Sequence, residues 1–223
     1  MEKYAVIVAG GSGSRMGSEV PKQFLPLAGR PVLMHTLERF AESDPHTHLV
    51  LVLPEAQIPA WQALVQAHGF GLAHRVVAGG ATRFQSVRNG LALVPPWAVV
   101  AVHDGVRPFV SAAGIARCFE EAARVGSAVM AVAPKDSLRR LRPGGHSEAV
   151  ERASFRIVQT PQTFRAALLQ EAFRTEEQAF FTDDASVFEY AGHEVHLVEG
   201  EYRNIKITTP EDLLVAEAFM SVK

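Results

Sequence analysis

Residues 5–26 read AVIVAGGSGSRMGSEVPKQFLP, and no other stretch restricts the chain so tightly. An apolar, β-branched run passes straight into a glycine-rich loop that carries Arg15 and Lys22. Glycine lacks the Cβ that holds a backbone away from a ligand, so such a loop brings N–H groups close to phosphate oxygens. Adding a guanidinium and an ammonium makes the loop a seat for a triphosphate. Two familiar nucleotide loops fail the test. The dinucleotide fingerprint needs glycine at its first, third and sixth positions; Gly11 and Gly13 fit, but Met16 stands at the sixth. No glycine here begins the P-loop pattern either. What remains is G-x-G-x-R-M, with Lys22 following in Pro21-Lys22-Gln23. A plain strand-to-helix connection with solvated cations is the bland reading of the same residues.

Short apolar runs recur at Tyr4–Val8, Leu49–Leu53, Arg75–Val77, Val99–Val102 and Ala128–Val132. Helix-like stretches lie between them, near Pro31–Phe40, Ile58–His68, Arg83–Leu93 and Ala112–Arg124. This alternation predicts an α/β fold, a mostly parallel sheet with helices on both faces. Ligands in such sheets sit beyond the carboxyl ends of the strands. The Gly11 loop, Gly79-Gly80 and His103-Asp104 all follow strand candidates at that end. The alternation breaks after Ala133. Residues 134–157 are polar and basic around Pro143-Gly144-Gly145, which predicts a protruding β-hairpin arm turning at PGG and packing on a second subunit. Thr209 and Asp212 around Pro210 read as the start of a last helix. With 223 residues, the whole of 1–223 is expected to form one domain.

A net charge of −2 gives no reason to expect nucleic acid or an anionic membrane as partner, and no apolar run approaches a membrane span. The single cysteine, Cys118, shares a helix face with Ile115, Phe119 and Ala122, which points to buried packing. A cytoplasmic location is expected. The nine histidines show no zinc spacing, and no G-x-S-x-G elbow supports a serine nucleophile.

Asp104 is the leading metal ligand, because magnesium takes few carboxylate oxygens when substrate phosphates supply the rest. An Asp-Gly turn with a local hydrogen bond is the competing reading. Arg107 can pair with Asp104 or reach an anion, and His103 reads as structural. Gly79–Val87 opens a helix whose N-terminus can face a base or phosphate, or can simply be capped by Thr82. Thr160-Pro161-Gln162, Thr182-Asp183-Asp184 and Asn204-Ile205-Lys206 read by themselves as caps or solvated charges.

The opening loop resembles that of the sugar-nucleotide pyrophosphorylase (nucleotidyltransferase) superfamily. In order, AGGSGSRMGSEVPKQF, GGATRFQSV, HDGVRPF, APKDSLRR, TPQTF, TDDASVFEY and VEGEYRNIKITTPEDL resemble the 2-C-methyl-D-erythritol 4-phosphate cytidylyltransferase family, nearly end to end. The resemblance implies a Rossmann-like nucleotidyltransferase fold and a homodimer whose arms cross between subunits. It implies transfer of the cytidylyl group of CTP to methylerythritol phosphate with magnesium, releasing pyrophosphate, in the non-mevalonate route to isoprenoids. It places Arg15 and Lys22 on the triphosphate and the transition state, with Lys206 beside them. Ala9, Gly10, Gly11, Gly80 and Ser86 would line the cytidine pocket, and Asp104 would bind the metal of the nucleotide. Ser137 and Arg152 on the arm would reach the sugar phosphate of the neighbouring subunit, and Thr160, Thr182 and Lys206 would complete the phosphate environment. Two positions depart from the family form: Ala81 stands where some relatives have aspartate, and Ser137 where threonine is frequent. Ribitol-5-phosphate cytidylyltransferase shares the fold and most of these motifs, differing in the arm and sugar pocket. From another class, a catalytically silent nucleotide-binding regulator is opposed by the joint presence of Arg15, Lys22 and Asp104.

Overall fold

Ile7, Leu51 and Ala101 bury themselves on one face of a sheet, and their chain neighbours Val6, Val50 and Val100 on the other. Strands apolar on both sides belong in the middle of a parallel sheet. The computed structural model describes residues 1–10 and 20–221. In chain order its elements are β1 (Lys3–Val8), β2 (Pro26–Leu27), β3 (Arg30–Pro31), α1 (Val32–Ser43), β4 (His48–Leu53), α2 (Ile58–Ala67), β5 (Arg75–Ala78), α3 (Arg83–Leu91), β6 (Val99–Asp104), α4 (Ala112–Val125) and β7 (Ser127–Val132). There follow β8 (Arg139–Leu141), β9 (Ser147–Ala149), β10 (Ile157–Arg165), α5 (Ala166–Ala172), α6 (Asp184–Tyr190), β11 (Leu197–Glu199) and α7 (Pro210–Ser221).

The seven-stranded sheet has the order β11-β7-β10-β6-β1-β4-β5. Only β10 runs antiparallel to its neighbours. The chain leaves β7, makes the β8–β9 hairpin and re-enters at the end it left, so the returning strand must run the opposite way. Helices α1, α2 and α4 cover one face through Leu37, Phe40, Trp61 and Ile115. Helices α3, α5 and α6 cover the other through Phe84, Leu169 and Phe188. Phe164 of β10 is fully buried against Phe188, and truncating it to alanine would cost about 3–5 kcal/mol. Helix α3 lies close on the sheet because residue 90 is glycine; a Cβ there would stand 2.5 Å from Val6 Cγ1.

The hairpin forms as the sequence predicts. β8 and β9 pair antiparallel around Pro143–Gly145, and both strands lie outside the main sheet. Cys118 is buried in α4 with Ile115, Phe119 and Ala122. Among the described residues, no helix is long and apolar enough to cross a membrane.

Candidate active site

The carboxyl ends of β1, β5 and β6 open on a cavity of about 220 Å³. Ala9, Gly10, Lys22, Gly80, Ser86, Asp104 and Lys206 line it, so the structure brings together seven of the residues singled out in the sequence. Arg15 and Gly11 lie outside the described residues. Thr160 is buried behind the cavity, Thr182 is exposed, and Ser137 and Arg152 stand exposed in the arm segment; none of these four lines it.

Each wall has a local cause. Lys22 opens a 3₁₀ turn, Lys22–Phe24, whose next two residues are buried. Gln23 donates through Nε2 to the Ala9 carbonyl at 2.8 Å and to Gln57 Oε1 at 2.6 Å, and Phe24 stacks on Trp61. The buried pair holds the lysine at the mouth. After β5 the chain turns at Gly79-Gly80, and a Cβ on Gly80 would sit 2.3 Å from Gln85 Cβ. Ser86 Oγ accepts from Gly80 N at 3.1 Å and donates to Thr82 O at 2.8 Å. Thr82 caps α3 by accepting from Gln85 N at 3.1 Å, so the capping reading holds while Thr82 also lines the cavity.

Asp104 is the last residue of β6, two residues beyond the apolar run Val99–Val102. It is 8% exposed. Its backbone N–H donates to Thr160 Oγ1 at 3.1 Å, which is the observed work of that hydroxyl. Arg107 Nε and Lys206 Nζ each approach Oδ2 to 3.1 Å, and Arg83 Nε stands 3.9 Å from Oδ1. Burial alone would raise the Asp104 carboxyl; Arg83, Lys206 and Arg107 together hold it well below the usual carboxylate range. Arg107 therefore pairs with Asp104, and its Nη1 also donates to Asn204 O at 2.9 Å. Buried Asn204 donates to Thr160 O at 2.8 Å, and Ile207 N to Val106 O at 2.9 Å, so the segment carrying Lys206 is fixed on both sides.

Sequence reasoning missed three residues here. Arg83 lines the cavity, and its terminal nitrogens bind Asp184 at 2.9 and 2.7 Å. Gln23 is the third. Arg83 lies inside the Gly79–Val87 segment, but nothing local in the sequence links it to an aspartate 101 residues away.

Among the described residues, no three His, Cys, Asp or Glu side chains gather into a metal cage. Asp104 Oδ1 accepts no hydrogen bond among the described residues, in a cavity that also holds two lysines. A hard oxygen donor of this kind fits a magnesium ion whose other ligands are phosphate oxygens and water. The set can do one thing well: hold a polyanion, keep a carboxylate ionised beside it, and stabilise charge that grows on phosphoryl oxygens.

The family model described as IspD, 2-C-methyl-D-erythritol 4-phosphate cytidylyltransferase, matches residues 4–222. Among curated proteins, the enzyme of that name from Bacteroides fragilis is 53% identical over 220 residues, covering 99% of this chain and 100% of the relative. The Porphyromonas gingivalis enzyme is 51% identical, covering 99% and 98%. The crystal structure of the Thermus thermophilus enzyme is 38% identical, with a TM-score of 0.81 and full coverage of both chains. That of 4-diphosphocytidyl-2C-methyl-D-erythritol synthase from Anaerococcus prevotii is 28% identical, with a TM-score of 0.83 and 98% coverage of each. Sequence and fold agree over the whole length, and the chain belongs to the 2-C-methyl-D-erythritol 4-phosphate cytidylyltransferase family.

Proposed function

We propose that this cavity transfers the cytidylyl group of CTP to 2-C-methyl-D-erythritol 4-phosphate, giving 4-diphosphocytidyl-2-C-methyl-D-erythritol and pyrophosphate. The observation that carries the reading is ionised Asp104, paired with Lys206, in one cavity with Lys22 and the small-residue walls of Ala9, Gly10 and Gly80. A phosphate monoester is already a competent nucleophile, so the reaction needs no strong general base. Its obstacle is one anion approaching another while negative charge builds around the α-phosphorus. Lys22 and Arg15 bear on the triphosphate, and Lys206 exchanges its contact with Asp104 for a substrate oxygen. Magnesium, held by Asp104 with phosphate oxygens, supplies charge neutralisation when bound. Gly80, Ser86, Ala9, Gly10 and Gly11 receive the cytidine.

Ser137 and Arg152 sit far enough along the chain's excursion to miss this cavity, which suits a role in a partner's site. Leu141, Phe155 and Ile157 expose apolar surface on the same segment, and Val158 just beyond it, the kind of surface that a second subunit covers. The protein acts as a homodimer in the cytoplasm, with the 134–157 arm completing the sugar-phosphate end, Thr182 bordering it, and Thr160 contributing from behind through its hold on Asp104 N. Replacing Lys22 with alanine tests the chemistry. Turnover in a pyrophosphate-release assay falls roughly a hundredfold, as for a preorganised oxyanion donor. Near-normal turnover would remove Lys22 from the transition state.

A further inference from the structure

Asp184 opens α6 and is fully buried, yet it has no place in the reaction as described. It holds Arg83 by both terminal nitrogens, at 2.9 and 2.7 Å, in a fork-to-fork pair. That leaves Arg83 Nε, which stands 3.9 Å from Asp104 Oδ1. The other two cations at Asp104 both take Oδ2. Oδ1 is therefore the oxygen open to a cation that arrives with a triphosphate, and Arg83 is its nearest competitor among the described residues.

Asp184 cannot follow Arg83 inward. Its helix is bolted at the N-terminus by the capping box of Asp183 and Ser186. Gln162 of β10 fastens the same turn, donating to Asp183 Oδ2 at 2.9 Å and accepting from Ala185 N at 2.9 Å. Arg83, by contrast, is a long side chain with 31% of its side chain exposed, and its salt-bridge partners among the described residues are Asp184 and Asp104 alone. Released by Asp184, it can close on Oδ1.

We propose that Asp184 is a positioning residue that sets the divalent-cation affinity of the site: it pins Arg83 and holds the guanidinium 3.9 Å from Asp104 Oδ1, short of hydrogen-bond contact. The inference rests on the reading of Asp104 as the carboxylate for the nucleotide's metal. In Asp184→Asn the shape is kept, but the guanidinium loses its counter-charge. Binding of manganese with CTP, followed by calorimetry and by the electron paramagnetic resonance of free manganese, weakens at least roughly tenfold. The magnesium requirement of turnover rises with it, while kcat at saturating magnesium is retained. In the double variant Arg83→Met/Asp184→Leu the competitor is gone together with its anchor, and manganese affinity returns to the wild-type level or above.

A general packing defect would weaken both variants, so loss of affinity in the double variant overturns the proposal. So does an unchanged affinity in Asp184→Asn. Should Asp184→Asn fail to fold, Arg83→Met carries the test: with the guanidinium removed from beside Oδ1, manganese binds more tightly than in the wild type, and equal or weaker binding overturns the proposal. Asp104→Asn separates the two levels: if it binds manganese and CTP like the wild type, the reading of Asp104 itself fails. If it weakens binding while Asp184→Asn does not, only the role of Asp184 fails.

Discussion

His103, one residue before Asp104, is fully buried, with its Nε2 3.1 Å from Arg107 O and its ring edge-on to Phe40. Burial pushes its imidazole down to about 4, so it stays neutral beside the site at working pH. The unfolded chain binds this proton near pH 6.5 and the folded chain does not, so stability falls as pH drops from about 6.5 towards 4. The loss reaches roughly 3 kcal/mol. Thermal melts across that window should show the slope in the wild type and lose it in His103→Asn; equal slopes would contradict the assignment. Cys118 behaves as the sequence suggests. Burial pushes its thiol up to about 12, and a thiol reagent should label it only after denaturation. At this scale the cavity was largely legible, because Ala9, Gly10, Gly80 and Asp104 follow or end apolar strands and Ser86 lies in the first turn of the helix after one. Asp184 was not. Thr182-Asp183-Asp184 reads as a cap, and Asp183 is one, but the next residue turns inward to a partner distant in sequence.

At the scale of elements, the nine segments from β1 to β7, leaving aside the two-residue β2 and β3, could be placed from apolar periodicity alone. Strand β10 could not, because its interior is Gln159, Thr160, Gln162 and Thr163, all buried. Three of these satisfy backbone or helix-end groups: Gln159 the 201–204 loop, Thr160 Asp104 N, and Gln162 the start of α6. Polar residues that serve as fasteners erase the apolar signature of a central strand. The loop before α3 makes a sharper prediction. Gly80→Ala forces Cβ against Gln85 Cβ, 2.3 Å away, and must push the loop into or out of the cavity. CTP affinity should drop with the fold retained, and unaltered CTP binding by calorimetry would show that the loop has slack. The hairpin was legible because Pro-Gly-Gly punctuates it, whereas a single chain carries no mark of what its exposed residues meet.

For the whole molecule, the position of Ser137 and Arg152 outside the cavity is the main constraint on assembly. If each arm serves the neighbouring subunit, Lys22→Ala and Arg152→Ala chains are each poorly active alone. Mixed and allowed to exchange, they regain activity, since one site in each hybrid holds an intact Lys22 and receives an intact Arg152. No recovery would mean that the arm serves its own chain or none. The central claim is the reaction, and pyrophosphate release with CTP and magnesium tests it most directly, comparing 2-C-methyl-D-erythritol 4-phosphate with ribitol 5-phosphate. The account predicts rapid release with the methylerythritol substrate and little with ribitol phosphate. Preference for ribitol phosphate, or release with neither, would contradict it.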